Sequence, residues 1–234
     1  MLGFCHLFAG IVIGIIIYRI TKQRSVVLAC GFGAILPDLI DKPLGHFILA
    51  DSLNSGRIYA HTLLMLIVFI IIGLYYWKKR SSYSVLAVST GIASHTILDE
   101  VWESPVTLFW PLNGPFETSN FESYFTTFAV KEIFSVSEWI FAILIICILI
   151  VFYKDKLNIF ARLSPYIEKS YPILQIFLMS VGFVYIMYGI NIHNHDEIVI
   201  GSVSVLGGLG MLYGMKEKEA GDDLMPSHLN TAIR

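Results

Sequence analysis

Charge is scarce in this chain of 234 residues: 15% of its positions are Asp, Glu, Lys or Arg, where a soluble domain carries about 25%. That shortage, beside 56% hydrophobic residues and a mean hydropathy of +0.69, excludes a water-soluble globule and predicts an integral membrane protein. Basic residues are too few and too scattered to build a nucleic-acid surface, and the formal net charge is -2, so nucleic acid is excluded as a partner. Cysteine is scarce as well. Cys5, Cys30 and Cys147 stand far apart in apolar runs, without the paired spacing of a zinc knuckle or redox motif, and read as buried free thiols. A positive charge before the first apolar run is also lacking. Residues 1–18 are apolar apart from His6, and Arg19, Lys22 and Arg24 follow them, which predicts a retained helix with its N-terminus outside rather than a cleaved leader.

What the chain has is long apolar runs. Those at 58–77, 83–101, 134–153, 172–190 and 198–215 approach or reach the roughly 20 residues of a full crossing. The run at 25–36, cut by Pro37, is shorter and is expected to be a short, tilted or re-entrant helix. Lysine and arginine gather after the first run, after Trp77, after Tyr153 and after Met215, and alternate loops are acidic or nearly uncharged. The positive-inside rule then predicts an all-α polytopic bundle of about seven spans, N-terminus outside and C-terminus cytoplasmic. Three parts are expected: a four-helix part with an outer loop at 1–133, three further spans at 134–215, and a polar cytoplasmic tail at 216–234. Residues 102–131, broken by Pro105, Pro111, Gly114 and Pro115, read as a structured loop. Its Phe109-Trp110-Pro111-Leu112 reads as an interfacial anchor. The basic stretch 154–171 reads as an interfacial helix or a connector.

Ionisable residues inside apolar runs are costly unless they face a protein interior, a wet cavity or a metal. His95 and Asp99 lie at i and i+4 near the end of one such run. With seven crossings, His6, Asp38, Asp41, His61, His95 and Asp99 all fall at one membrane face. Imidazole nitrogen and carboxylate oxygen in that number are a donor set for one or two transition-metal ions, or for one ion with an aspartate left as general base. Asp38 and Asp41 share a face only if the helix survives past Pro37. Arg57, four residues before His61, would lie alongside on a continued helix and clamp a phosphate or carboxylate. His46, Asp51 and Glu103 are weaker candidates, and His193, His195 and Asp196 read as an exposed turn.

These residues also carry a resemblance. His6 in His-Leu-Phe-Ala-Gly, Leu-Pro-Asp38-Leu-Ile-Asp41, Arg57-Ile-Tyr-Ala-His61-Thr, His95-Thr-Ile-Leu-Asp99 and Leu108-Phe-Trp-Pro-Leu112 follow one another as in the YdjM-like inner-membrane family of metal-dependent hydrolases. The resemblance covers residues 1–112. Two positions depart from the family pattern: Gly56, where His is frequent, and Ala60, where Thr is frequent. The resemblance implies a membrane-embedded metal-dependent hydrolase in the plasma membrane of a bacterium or archaeon.

The expectation is therefore hydrolysis of an ester or phosphoester, lipid substrates included, at the outer face. His6, Asp38, His61, His95 and Asp99 would be metal ligands, Arg57 the anion clamp and Asp41 a catalytic carboxylate. Zinc is the first expectation for the metal, manganese or iron the alternatives, and membrane lipids the surroundings. Two rivals remain: a divalent-cation transporter, whose ligands usually sit near the bilayer midplane within internal repeats, and a metal-stabilised scaffold without catalysis.

Overall fold

Apolar runs without water around them can satisfy their backbone N–H and C=O groups only within the segment, as helices do. In the computed structural model, which describes residues 3–118, 124–156 and 158–223, every regular element is helical. The chain divides into two units, residues 1–148 and 149–234.

The first unit is built on α1 (Gly3–Thr21), α2 (Ser25–Pro43), α3 (Leu63–Arg80) and α4 (Ser84–Leu98). Short connections reverse the chain between α1 and α2 and between α3 and α4, and these two turns are tied together. Gln23 Nε2 donates to the Ser81 carbonyl, and the Tyr83 N–H donates to Gln23 Oε1. The start of α1, the end of α2, the start of α3 and the end of α4 therefore share the opposite end of the bundle. Between α2 and α3 the chain passes through a π-helical turn (Leu44–Ile48) and a 3-10 turn (Tyr59–His61).

The core lies between α1, α2 and α4, where Cys5, Phe8, Ile11, Val26, Cys30, Ala34, Ala87 and Ile92 are buried. At Gly91 the backbones of α2 and α4 touch: a Cβ there would lie 2.2 Å from the Cys30 carbonyl oxygen and 2.6 Å from the Ala34 nitrogen. Small residues permit such approach between apolar helices. On α3 only Gly73 is buried, and a belt of isoleucines, leucines and aromatics faces outward, a surface suited to lipid rather than water.

After α4 come a 3-10 turn (Val101–Glu103), the single-turn α5 (Pro105–Leu108), α6 (Tyr124–Phe134) and α7 (Val136–Phe152), which belongs mostly to the first unit. α7 packs on α1 through Phe141 against Phe8, ring centroids 5.1 Å apart. The Phe4 N–H at the start of α1 donates to Glu138 Oε2 of α7 at 2.7 Å. The second unit pairs α8 (Asn158–Ile192) with α9 (His195–Asp223), in close backbone approach at Gly182 and Gly201.

Four expectations change. α2 does not end at Pro37 but runs on to Pro43, because packing against α1 and α4 outweighs the one backbone hydrogen bond a proline forfeits. Part of the expected outer loop is helix α6, since no proline or glycine interrupts residues 124–134. The stretch 158–171 is the first part of α8, continuous with the span expected after it through Pro165 and Pro172. Residues 216–223 of the expected tail continue α9, while 224–234, with residues 1–2, 119–123 and 157, lie outside the described residues. Of the spans expected, Gly3–Thr21 and Asn158–Ile192 meet the length and composition of a crossing, and Ser84–Leu98 and Val136–Phe152 are apolar but shorter.

Candidate metal centre

Each ligand candidate is delivered by a helix end. Asp38 projects from α2 one residue past Pro37. His61 closes the 3-10 turn ahead of α3, whose N-cap is Thr62: its hydroxyl donates to the Tyr59 carbonyl and accepts from the Met65 N–H. His95 lies in the last turn of α4, and Asp99 is that helix's C-cap, its N–H donating to the His95 carbonyl. One ligand atom from each of Asp38, His61, His95 and Asp99 falls within 4.8 Å of all the others. His61, His95 and Asp99 are buried.

The second nitrogen of each imidazole settles its tautomer. Asp41, fully buried, accepts the backbone N–H groups of Ile58, Ala60 and His61 and also His61 Nδ1 at 2.7 Å. A carboxylate only accepts, so Nδ1 of His61 carries the hydrogen. His95 Nδ1 donates to the Ala34 carbonyl at 2.7 Å, which again fixes the hydrogen on Nδ1. In the neutral rings both Nε2 atoms are then bare lone pairs, and they face each other at 3.1 Å. Asp38 Oδ1 lies 3.6 Å from one and 3.8 Å from the other, and Asp99 Oδ2 is 3.9 Å from His95 Nε2. Acceptors converging without a proton to share repel one another, and a cation removes the repulsion. The donor set and its outer hydrogen bonds fit a transition metal held by imidazoles whose far nitrogens are fixed.

His6 stands beside this group. Its ring stacks on His95 with centroids 4.2 Å apart, and its Nε2 lies 3.1 Å from Asp99 Oδ1. Arg57 Nη2 meets Asp99 Oδ2 at 2.9 Å. The helix expected to carry Arg57 toward His61 is absent. Residues 54–58 are irregular, and the guanidinium reaches the site because Asp41 draws in the backbone of the residues that follow. Asp41, expected as a catalytic carboxylate, instead lies behind His61 with both oxygens occupied by donors. Lys42, which sequence reading passed over, bonds Asp38 Oδ2. The one available signal was its i+4 spacing from Asp38.

His46 is not among the four candidate ligands. Its Nδ1 pairs with Asn54 Oδ1 at 2.9 Å and its ring stacks on Tyr124, centroids 3.5 Å apart. A Cβ at Gly56 would lie 2.9 Å from His46 Nε2, so the bare glycine makes room for this ring. Asp51 and Glu103 are exposed in turns; in the second unit His193 is exposed in a turn, whereas His195 and Asp196, expected in the same turn, are exposed in the first turn of α9. Trp110 packs with Phe116 and Tyr59 in an aromatic cluster that leaves Leu112 exposed.

Two comparisons return nothing: no curated protein and no solved structure matches the chain. A family model described as YdjM inner membrane protein matches residues 1–162, which takes in the whole centre and extends the resemblance seen over residues 1–112.

Proposed function

The chain belongs to the YdjM inner membrane protein family, and from that premise we propose that it is a membrane-embedded metal-dependent hydrolase acting on an ester or phosphoester, lipid substrates included. The observation that carries this reading is the pair of Nε2 atoms 3.1 Å apart beside two aspartates. Asp38, His61, His95 and Asp99 would hold a divalent transition metal, zinc first. When bound, such an ion polarises a substrate oxygen and lowers the pKa of a water at neutral pH. Asp41 and the Ala34 carbonyl keep the two imidazoles in the ligating tautomer. His6 steadies Asp99 through Oδ1, and Arg57, half-exposed, is placed to take an anionic substrate group.

The finer topology is part of the same proposal: about seven crossings with the centre at the extracytoplasmic face. Support comes from Arg19, Lys22 and Arg24, and Lys78-Lys79-Arg80, clustered at the bundle end opposite the centre. The length of α2, now 19 residues, adds to it.

Elemental analysis of detergent-purified protein tests the metal first. Wild type is expected to carry one or two equivalents of a transition metal, with His95→Ala and Asp99→Ala losing them. A chelator should lower the Tm of wild type and leave His95→Ala unmoved. A folded, metal-free wild type prepared without chelator overturns the reading, and uptake of metal into proteoliposomes would point to transport instead.

A further inference from the structure

The charges at the centre do not balance. Among the described residues, three carboxylates, Asp38, Asp41 and Asp99, face two cations, Lys42 and Arg57, which leaves one net negative charge when the imidazoles are neutral. A divalent ion reverses this to one net positive charge. Uncompensated charge is costly in a buried site, so the loaded centre calls for an anionic ligand rather than a neutral one.

The cations lie on the side from which such a ligand would come. The Lys42 and Arg57 side chains are 29% and 43% exposed, against 13% and 6% for the carboxylates they hold. Each cation bonds its aspartate and keeps further N–H donors, for an ammonium has three and a guanidinium five. The Tyr124 hydroxyl stands with Lys42: a Cβ at Gly56 would lie 3.4 Å from both the Lys42 Cγ and the Tyr124 oxygen. No side chain at residue 56 separates them. Tyr124 is held by its stack on His46, which Asn54 fixes in turn.

We propose that Lys42, Arg57 and Tyr124 form a phosphate-binding rim over the metal centre and restrict the substrate to phosphate esters. The restriction rests on the hydrolase reading, whereas the binding site stands without it. Ammonium, guanidinium and phenol are all donors, and a fork beside a point charge suits the several oxygens of a phosphate better than a single carbonyl. The phosphate belongs either to a lipid headgroup or to a soluble ester.

The test is calorimetric titration of the full-length, zinc-loaded protein in detergent with inorganic phosphate, with metal content measured in parallel. Phosphate is expected to bind the loaded protein and not the metal-free one. Lys42→Ala should weaken it on the order of tenfold and Tyr124→Phe about fivefold, metal retained, as loss of one charged and one neutral hydrogen bond requires. If Lys42→Ala releases the metal, Tyr124→Phe decides. Unchanged phosphate affinity in a variant that keeps its metal overturns the proposal. Turnover of p-nitrophenyl phosphate supports the rim with a soluble ester as source, and turnover of phosphatidic acid in mixed micelles supports it with a lipid. Turnover of p-nitrophenyl acetate alone, indifferent to Lys42→Ala, overturns the rim and leaves the hydrolase reading standing. Phosphate binding with no turnover in any arm does the reverse.

Discussion

At the scale of single residues, the site is a division of labour between groups that face the acceptor cluster and groups that hold them. Asp41 does the holding for His61: its four donors lock the carboxylate, and the carboxylate locks the ring. Asp41→Asn removes the charge and can present its amide N–H to His61 in place of an acceptor. Metal affinity should fall about ten- to a hundredfold, as it does when an outer hydrogen bond to a ligating histidine is lost. Competition with a chromophoric chelator measures this, and an unchanged affinity would show that the tautomer is set by something else. His61, His95, Asp38 and Asp99 were legible in the sequence because ionisable residues stand out in apolar runs. The partition of roles was not. Asp38 and Asp41 look alike as sequence, and only the backbone of residues 58–61, folded around one of them, separates a carboxylate that faces the acceptor cluster from an orienting one. Lys42 read as the polar end of a span.

At the scale of elements, helix ends were legible to within a few residues wherever charge or proline punctuates the run, as at Lys78-Lys79-Arg80 and Ser84. Pro37 misled because its effect on an isolated helix is larger than its effect on one clamped between two neighbours. That clamp depends on Gly91, where any added Cβ collides with main-chain atoms of α2 that cannot step aside. Gly91→Val should therefore lower stability by about 1–3 kcal/mol, the usual cost of overpacking. It should also weaken metal binding although residue 91 lies four positions from the nearest ligand. Thermal unfolding followed beside metal content checks both, and loss of stability with full metal affinity would show that α2 and α4 can separate without disturbing the centre.

At the scale of the whole molecule, the first unit has two unlike ends. One is basic and tied by Gln23, and the other gathers the acidic and imidazole groups. If the positive-inside rule sets the orientation, an exposed Ser52→Cys near the centre is labelled by an impermeant maleimide added to intact spheroplasts. Ser81→Cys, exposed at the basic end, is labelled only after permeabilisation. The opposite pattern would put the centre in the cytoplasm. Composition made the helical class legible from the start. The division at residues 148 and 149 was not legible, because it depends on which apolar faces choose each other, and apolar residues alone do not encode that choice.

The acceptor that His95 Nδ1 uses belongs to the main chain at Ala34. Every amino acid brings the same carbonyl to position 34, so no point mutation can erase it. What is inherited there is a spacing between two helices, and substitutions can reach the proton on His95 only by altering how closely α2 and α4 lie.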